Sequence, residues 1–281
     1  MSAISEAWLA RAKANTAVFQ QNPHIKAMLV TGSVAKGVAD DNSDIDTILY
    51  YDELPGEEAF EASRQAALDS GGGFYGGNAQ DGWALFQYID GIRHDFAHAK
   101  LSETKEMIEQ FLAEPTLEEN NLFIALDGIL TGVPLKGAEI TQAWKEKLAN
   151  YPPQLGDMLV QKHLRFRPHW VLQKMGVDRH EIIFLQEEML NAVQNIFGVL
   201  CGLNKLYHPG KIKGLNQTVT KMKIAPPNVA SRLPALFEVD MQTAVNNLKV
   251  LIEETIALVE THMPHIDTAP TRKLFTMQLR K

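Results

Sequence analysis

One cysteine, Cys201, in a chain of 281 residues excludes any disulfide within the chain. Cys201 lies in an apolar, helix-like run, where a thiol is expected to be buried rather than reactive, and a reducing cytoplasm is the expected setting. No apolar run is long enough to cross a bilayer. The amphipathic N-terminus carries Glu6 and has no secretory hydrophobic region. A basic block is missing as well: 27 Lys and Arg face 34 Asp and Glu, for a net charge of −7 and a pI of about 5.7. A surface that tracks a phosphate backbone needs clustered cations, so the balance argues against long nucleic acids as substrates and suits a cationic small molecule. Internal repeats and low-complexity segments are lacking too. What remains is 45% hydrophobic and 22% charged, the composition of a soluble globular protein with length for one large domain or two ordinary ones.

The stretch around which the chain is organised runs from Met28 to Tyr51, MLVTGSVAKGVADDNSDIDTILYY. An apolar run reaches Gly32-Ser33, and Asp44-Ile45-Asp46 leads into a β-branched and aromatic run that favours a strand. Strand side chains alternate, so Asp44 and Asp46 point to one face while Ile45 and Thr47 point to the other. Two carboxylates so close repel each other, and a divalent cation with a preference for hard oxygen ligands relieves this. Gly32 lets backbone N–H groups approach an anion, and the Ser33 hydroxyl adds a donor. An anion cradle beside a carboxylate pair is equipment for holding a metal–nucleoside triphosphate.

Gly32-Ser33, a spacer with Ala35 and Gly37, and Ser43-Asp44-Ile45-Asp46 before an apolar strand resemble the signature of the polymerase-β-type nucleotidyltransferase superfamily. Within it, the chain is most similar to small-molecule (antibiotic-type) nucleotidyltransferases with a helical C-terminal domain. The resemblance implies an α/β (α+β) nucleotidyltransferase-type catalytic domain with a small mixed sheet over residues 1–150, followed by an all-α helical bundle domain over residues 151–281. It also implies a third carboxylate on a strand beside the Asp-x-Asp strand, and Asp95 fits that place. Asp44, Asp46 and Asp95 would then hold two Mg2+ ions, with Asp95 also a candidate to accept the acceptor proton. Gly32, Ser33 and Lys36 would hold phosphate, although Lys36 reads equally as a solvated loop lysine.

Residues 5–20 read as an N-terminal helix with Ser5 as N-cap and Trp8, Ala12, Val18 and Phe19 along one stripe. A helix over 57–68 follows. Ser70 to Gly77, SGGGFYGG, reads as a flexible connector rather than a phosphate loop, since no strand leads into it. Trp83–Asp90 and Ile92–Ala99 form a hairpin turning at Asp90-Gly91. In its second strand Arg93, Asp95 and Ala97 share one face, and Ile92, His94, Phe96 and His98 the other. His94 departs from the family pattern, which has an apolar residue there; His94 and His98 read as solvated or core-satisfied rather than as ligands. Helices are expected over 102–113 and over 116–131, the latter opened by a Thr116-x-x-Glu119 capping box. Tyr151-Pro152-Pro153 marks the domain boundary.

Beyond that boundary every periodic pattern is helical: 155–175, broken near Pro168; 179–207; and 239–262. The stripe of the long helix is Ile182, Leu185, Met189, Val193, Ile196 and Leu200. Glu188, Asn191 and Asn195 form a polar row away from it, either a solvated face or, by resemblance, the source of a general base at Glu187 or Glu188. In the loop NKLYHPGKIK, the resemblance suggests Tyr207 stacking on the nucleotide and Lys211 or Lys213 gripping phosphate; a Pro-Gly turn with surface lysines is the alternative. The basic tail from Asp267 to Lys281 is mobile or packed back on the surface.

The expected activity is Mg-dependent transfer of a nucleoside monophosphate from an NTP, ATP first, to a hydroxyl of a small acceptor, possible antibiotics included. Alternatives are modification of a protein side chain, a catalytically silent nucleotide-binding regulator, and tRNA-end or poly(A) polymerisation, the last disfavoured by the acidic balance. The oligomeric state stays open.

Overall fold

The computed structural model describes residues 2–118 and 120–278. It divides into two compact units, Met1–Glu114 with Ile124–Asn150, and Pro115–Phe123 with Tyr151–Lys281. Pro115–Phe123, expected to belong with the residues before it, thus groups with the second unit.

The first unit is built on a six-stranded mixed sheet. Its strands are β1 (Ile25–Val30), β2 (Ile45–Tyr51), β3 (Gly73–Asn78), β4 (Gly82–Ile89), β5 (Ile92–Lys100) and β6 (Val133–Lys136), in spatial order β3-β4-β5-β2-β1-β6. β2 and β5 run parallel, and the other neighbours are antiparallel. Alternation decides the faces. Ile45, Thr47 and Leu49 of β2 and His94, Phe96 and His98 of β5 are buried on one side, leaving Asp46 and Asp95 on the other. Met28, Leu49, Trp83, Leu85 and Phe96 anchor the main core cluster, and Phe60 of the helix Glu57–Asp69 closes over it. The hairpin turns at Asp90-Gly91, with both residues at positive φ.

Several local expectations need correction. The N-terminal helix is two helices, Ala3–Asn15 and Ala17–Gln21, that break at Thr16, whose hydroxyl donates to the Ala12 carbonyl at 2.7 Å. Its N-cap is Ser2, not Ser5, which is buried and accepts a hydrogen bond from the Ala39 amide at 2.9 Å; Val18 is exposed. The glycine-rich segment is no loose connector. It forms β3, in which Gly77 lies so close to β4 that a Cβ would sit 2.2 Å from the Gly82 carbonyl oxygen. Val133–Lys136 forms edge strand β6. The helix expected over 116–131 starts at Asn120, and Glu119 of the proposed capping box lies outside the described residues.

The second unit is helical. Its frame is Pro153–His163, Ile182–Leu203 and Met241–His262, the last N-capped by Asp240, whose carboxylate accepts from the Thr243 amide at 3.0 Å. The segment expected as one broken helix stops at His163, runs without helix through 164–168 and resumes as a short turn and a π-helix over Leu172–Val177. The long helix starts at Ile182 rather than 179, so Ile182 sits on its first turn and is exposed, whereas the rest of the predicted stripe is buried. The C-terminal segment is packed back: Ala269–Thr276 is a helix that buries Phe275 against Phe166.

Candidate active site

Parallel register brings the site together. Asp46 of β2 stands beside Asp95 of β5, and Asp44 immediately precedes β2 on the same face by the two-residue period. One carboxylate oxygen from each of Asp44, Asp46 and Asp95 lies within 4.8 Å of the others, all three residues being half-buried. Among the described residues no imidazole or thiolate joins this group. Clustered hard oxygens of one charge could hold a divalent cation, which would offset the repulsion within the cluster.

The Gly-Ser turn is held against the carboxylates. The Thr31 amide donates to the Asp46 carbonyl at 2.9 Å, carrying the chain from β1 over the start of β2. Gly32 follows at φ +65°, and a Cβ there would sit 1.9 Å from Asp46 Oδ2. Glycine is therefore required both by the backbone conformation and by the space. Ser33 is half-buried beside it.

Asp95 is gripped on the side. Arg93 Nε donates to Oδ1 at 2.8 Å and Nη2 to Oδ2 at 3.3 Å, while the Tyr75 hydroxyl donates to Oδ2 at 2.6 Å. Arg93 also contacts the Tyr75 hydroxyl and lies over the Phe86 ring, 4.3 Å from its centroid. Loss of solvation, with the hydrogen bond to Asp95 second, pushes the Tyr75 phenol up to about 12. The hydrogen bond to Asp95 holds the Arg93 guanidinium further above its usual range. Sequence reasoning put Arg93 on the face of Asp95 without assigning it this role. It missed Tyr75, whose strand has no side-chain pattern.

The other candidates fall as follows. Lys36 is half-buried and paired: its Nζ donates to Asp127 at 2.7 Å. His94 is buried on the opposite face, bonded through Nε2 to the Asn15 amide at 3.1 Å and held below the usual imidazole range by burial. His98 stacks on Trp83 at 4.2 Å, bonds Tyr51 through Nδ1 and is driven by burial down to about 3. Both belong to the core.

In the second unit Glu188 is not on a solvated face. It is 7% exposed, and Arg167 Nε donates to both of its oxygens at 3.2 and 3.1 Å. Glu187 and Asn191 are exposed. Tyr207 packs edge-on against Tyr151 at 5.1 Å, and burial pushes its phenol up to about 12. Lys211 and Lys213 are exposed on the loop that follows.

Residues 12–107, the span that contains the Gly-Ser turn and all three aspartates, match the family described as "Nucleotidyltransferase domain". The chain carries a nucleotidyltransferase domain. That domain is of the polymerase-β-type superfamily, whose activity is nucleotidyl transfer. No curated protein matches the chain. Among solved structures, a nucleotidyltransferase-like protein from Exiguobacterium sibiricum 255-15 aligns over 90% of this chain and 77% of its own, at 10% identity and a TM-score of 0.30. So loose a superposition bears on neither fold nor substrate. For the nucleotidyltransferase domain itself, the aspartate cluster is the feature with metal-binding chemistry. No described helix is long and apolar enough to cross a membrane.

Proposed function

We propose that the protein is a magnesium-dependent nucleotidyltransferase that moves a nucleoside monophosphate from an NTP, ATP in the first instance, to a hydroxyl of a small-molecule acceptor. The observation that carries this reading is the convergence of Asp44, Asp46 and Asp95 within 4.8 Å beside Gly32. The reaction forms a bond from the acceptor oxygen to the α-phosphorus as the bond to the β-phosphate bridging oxygen breaks, and pyrophosphate leaves. Asp44, Asp46 and Asp95 would hold magnesium, which when bound would supply charge neutralisation on the phosphates and activation of the acceptor oxygen. Asp44 and Asp46 face the triphosphate, with the Gly32 backbone and the Ser33 hydroxyl donating to its oxygens. Arg93 and Tyr75 keep Asp95 in one orientation, which lowers the cost of organising the site at each turnover. Lys36 is the further nucleotide contact in this reading.

The acceptor proton goes to Asp95. Loss of the acidic limb in the pH profile of kcat in Asp95→Asn, with that limb kept in Glu188→Gln, identifies it as the base. A net charge of −7 supports a small, cationic acceptor over a long nucleic acid, and a lone buried cysteine supports the cytoplasm. Catalysis is assigned to residues 1–150, and residues 151–281 form the helical domain. The test is pyrophosphate release across a panel of NTPs and hydroxylated acceptors with Asp44→Asn/Asp46→Asn as control. Turnover unchanged in the double variant would overturn the proposal. Calorimetry distinguishes a silent binder, which takes up nucleotide without consuming it.

A further inference from the structure

The second unit contains a cavity of about 780 Å³ whose lining residues all belong to that unit. This is the size range of small-molecule sites. Its walls are largely apolar, with Phe166, Leu172, Ile252 and Leu274 among them, and three charged residues line it: Arg165, Arg167 and Glu188. The non-helical stretch 164–168 explains the arrangement. Leu164, Phe166 and Pro168 are buried and Arg165 and Arg167 exposed, a two-residue alternation that sets both arginines on one edge. The stretch is fixed in place: Thr271 Oγ1 donates to the Leu164 carbonyl and Asn195 Nδ2 to the Arg165 carbonyl, each at 2.7 Å.

The charges are unequal in their engagement. Glu188 is matched by Arg167, which spends its Nε on both carboxylate oxygens. The terminal nitrogens of Arg167 make no hydrogen bond among the described residues, and its side chain is 64% exposed. Arg165 has no side-chain hydrogen bond or ion pair among the described residues, leaving the cavity with one positive charge in excess. A ligand cation would have to displace Arg167 from a buried carboxylate, exchanging one pair for another. A ligand anion instead meets unspent guanidinium donors, those of Arg167 already oriented by Glu188, and a charge-assisted hydrogen bond is the stronger kind.

We propose that this cavity binds a small organic anion, an apolar body of several carbons that carries one carboxylate or phosphate head. The body lies on the Phe166, Leu172 and Leu274 wall, and the head is held by Arg167 and Arg165. Glu188 is then a positioning residue that aims the Arg167 fork.

The test is isothermal titration calorimetry of the full chain, without metal or nucleotide, against octanoate, octyl phosphate, 1-octanol and octylamine. Octanoate and octyl phosphate should bind, whichever of the two is tighter naming the head group; octanol should bind at least about tenfold more weakly and octylamine not at all. Arg165→Gln should weaken octanoate severalfold. Arg167→Gln alone leaves a buried carboxylate uncompensated, so Arg167→Gln/Glu188→Gln is the decisive variant and should lose octanoate binding while remaining folded. The Asp44→Asn/Asp46→Asn protein should bind octanoate as the native chain does, which keeps this result separate from the fate of the nucleotidyl-transfer reading. Octylamine binding as tightly as octanoate, no heat with any of the four, or native octanoate affinity in the Arg167/Glu188 double variant would each overturn the proposal.

Discussion

The two units handle buried or crowded carboxylates in opposite ways. In the first, Asp44, Asp46 and Asp95 are set side by side by the strand period and by parallel register, half-buried, with oxygens within 4.8 Å. Arg93 offsets the charge at Asp95 from the flank. In the second, Glu188 is nearly inaccessible and is met at both oxygens by a guanidinium from its own unit. A carboxylate that carries its own counter-charge needs nothing further, whereas like charges gathered on one face are stable only with a cation from outside. The first is an arrangement that could hold a metal ion, and the second that of a site whose charges are already directed.

The largest test of this contrast is Gly32→Ala. A Cβ 1.9 Å from Asp46 Oδ2, at a φ that side chains resist, must push the carboxylate aside. Pyrophosphate release should fall by about a hundredfold, as for a misplacement near 1 Å, with the fold retained by circular dichroism. Breaking the other pair should act on stability instead. Arg167→Gln should cost about 2 kcal/mol in chemical denaturation, below the figure for a fully buried pair because Arg167 is exposed, and adding Glu188→Gln should restore most of it. If the single variant is neutral, Glu188 is not held as described.

Acid sharpens the comparison, because here the units agree. Burial holds His98 in the first unit down to about 3 and His208 in the second to about 4. Both therefore fold neutral, while the unfolded chain takes up a proton near pH 6.5. Stability is whole above that value and is lost as pH falls toward 3 or 4, by about 1.4 kcal/mol per pH unit for each group. His98→Asn should flatten one share of the slope in urea denaturation between pH 6 and 4, and an unchanged slope would show that His98 is not neutral in the fold. The smallest effect is expected from Tyr75→Phe. Removing one donor from Asp95 should weaken manganese binding severalfold, worth about 0.5–1.5 kcal/mol, by electron paramagnetic resonance.

Legibility in the sequence followed side-chain pattern. Asp44 and Asp46 could be read because a β-branched run fixes a strand and a strand fixes faces, and Asp95 because the resemblance implies a third carboxylate on a neighbouring strand and Asp90-Gly91 pins the hairpin that carries it. β3 and β6 were illegible for physical reasons. Three glycines around two aromatics leave no alternation to read, and Val133–Lys136 is four residues with a proline, which only an edge position tolerates. The burial of Glu188 was hidden because its partner lies 21 residues earlier in a stretch with no helix. The Lys36–Asp127 pair spans 91 residues and leaves no local trace.

The glycine-rich border strand has one more consequence. Gly73, Gly76 and Gly77 offer few side chains to lock β3 to its single neighbour β4, so it is the strand that peels most readily and its amides should exchange with heavy water first. Tyr75 rides on that strand, whereas Arg93 sits on β5 between two neighbours. Asp95 thus has one permanent clasp and one detachable clasp, and fraying at the margin of the sheet loosens its hold without disturbing the core.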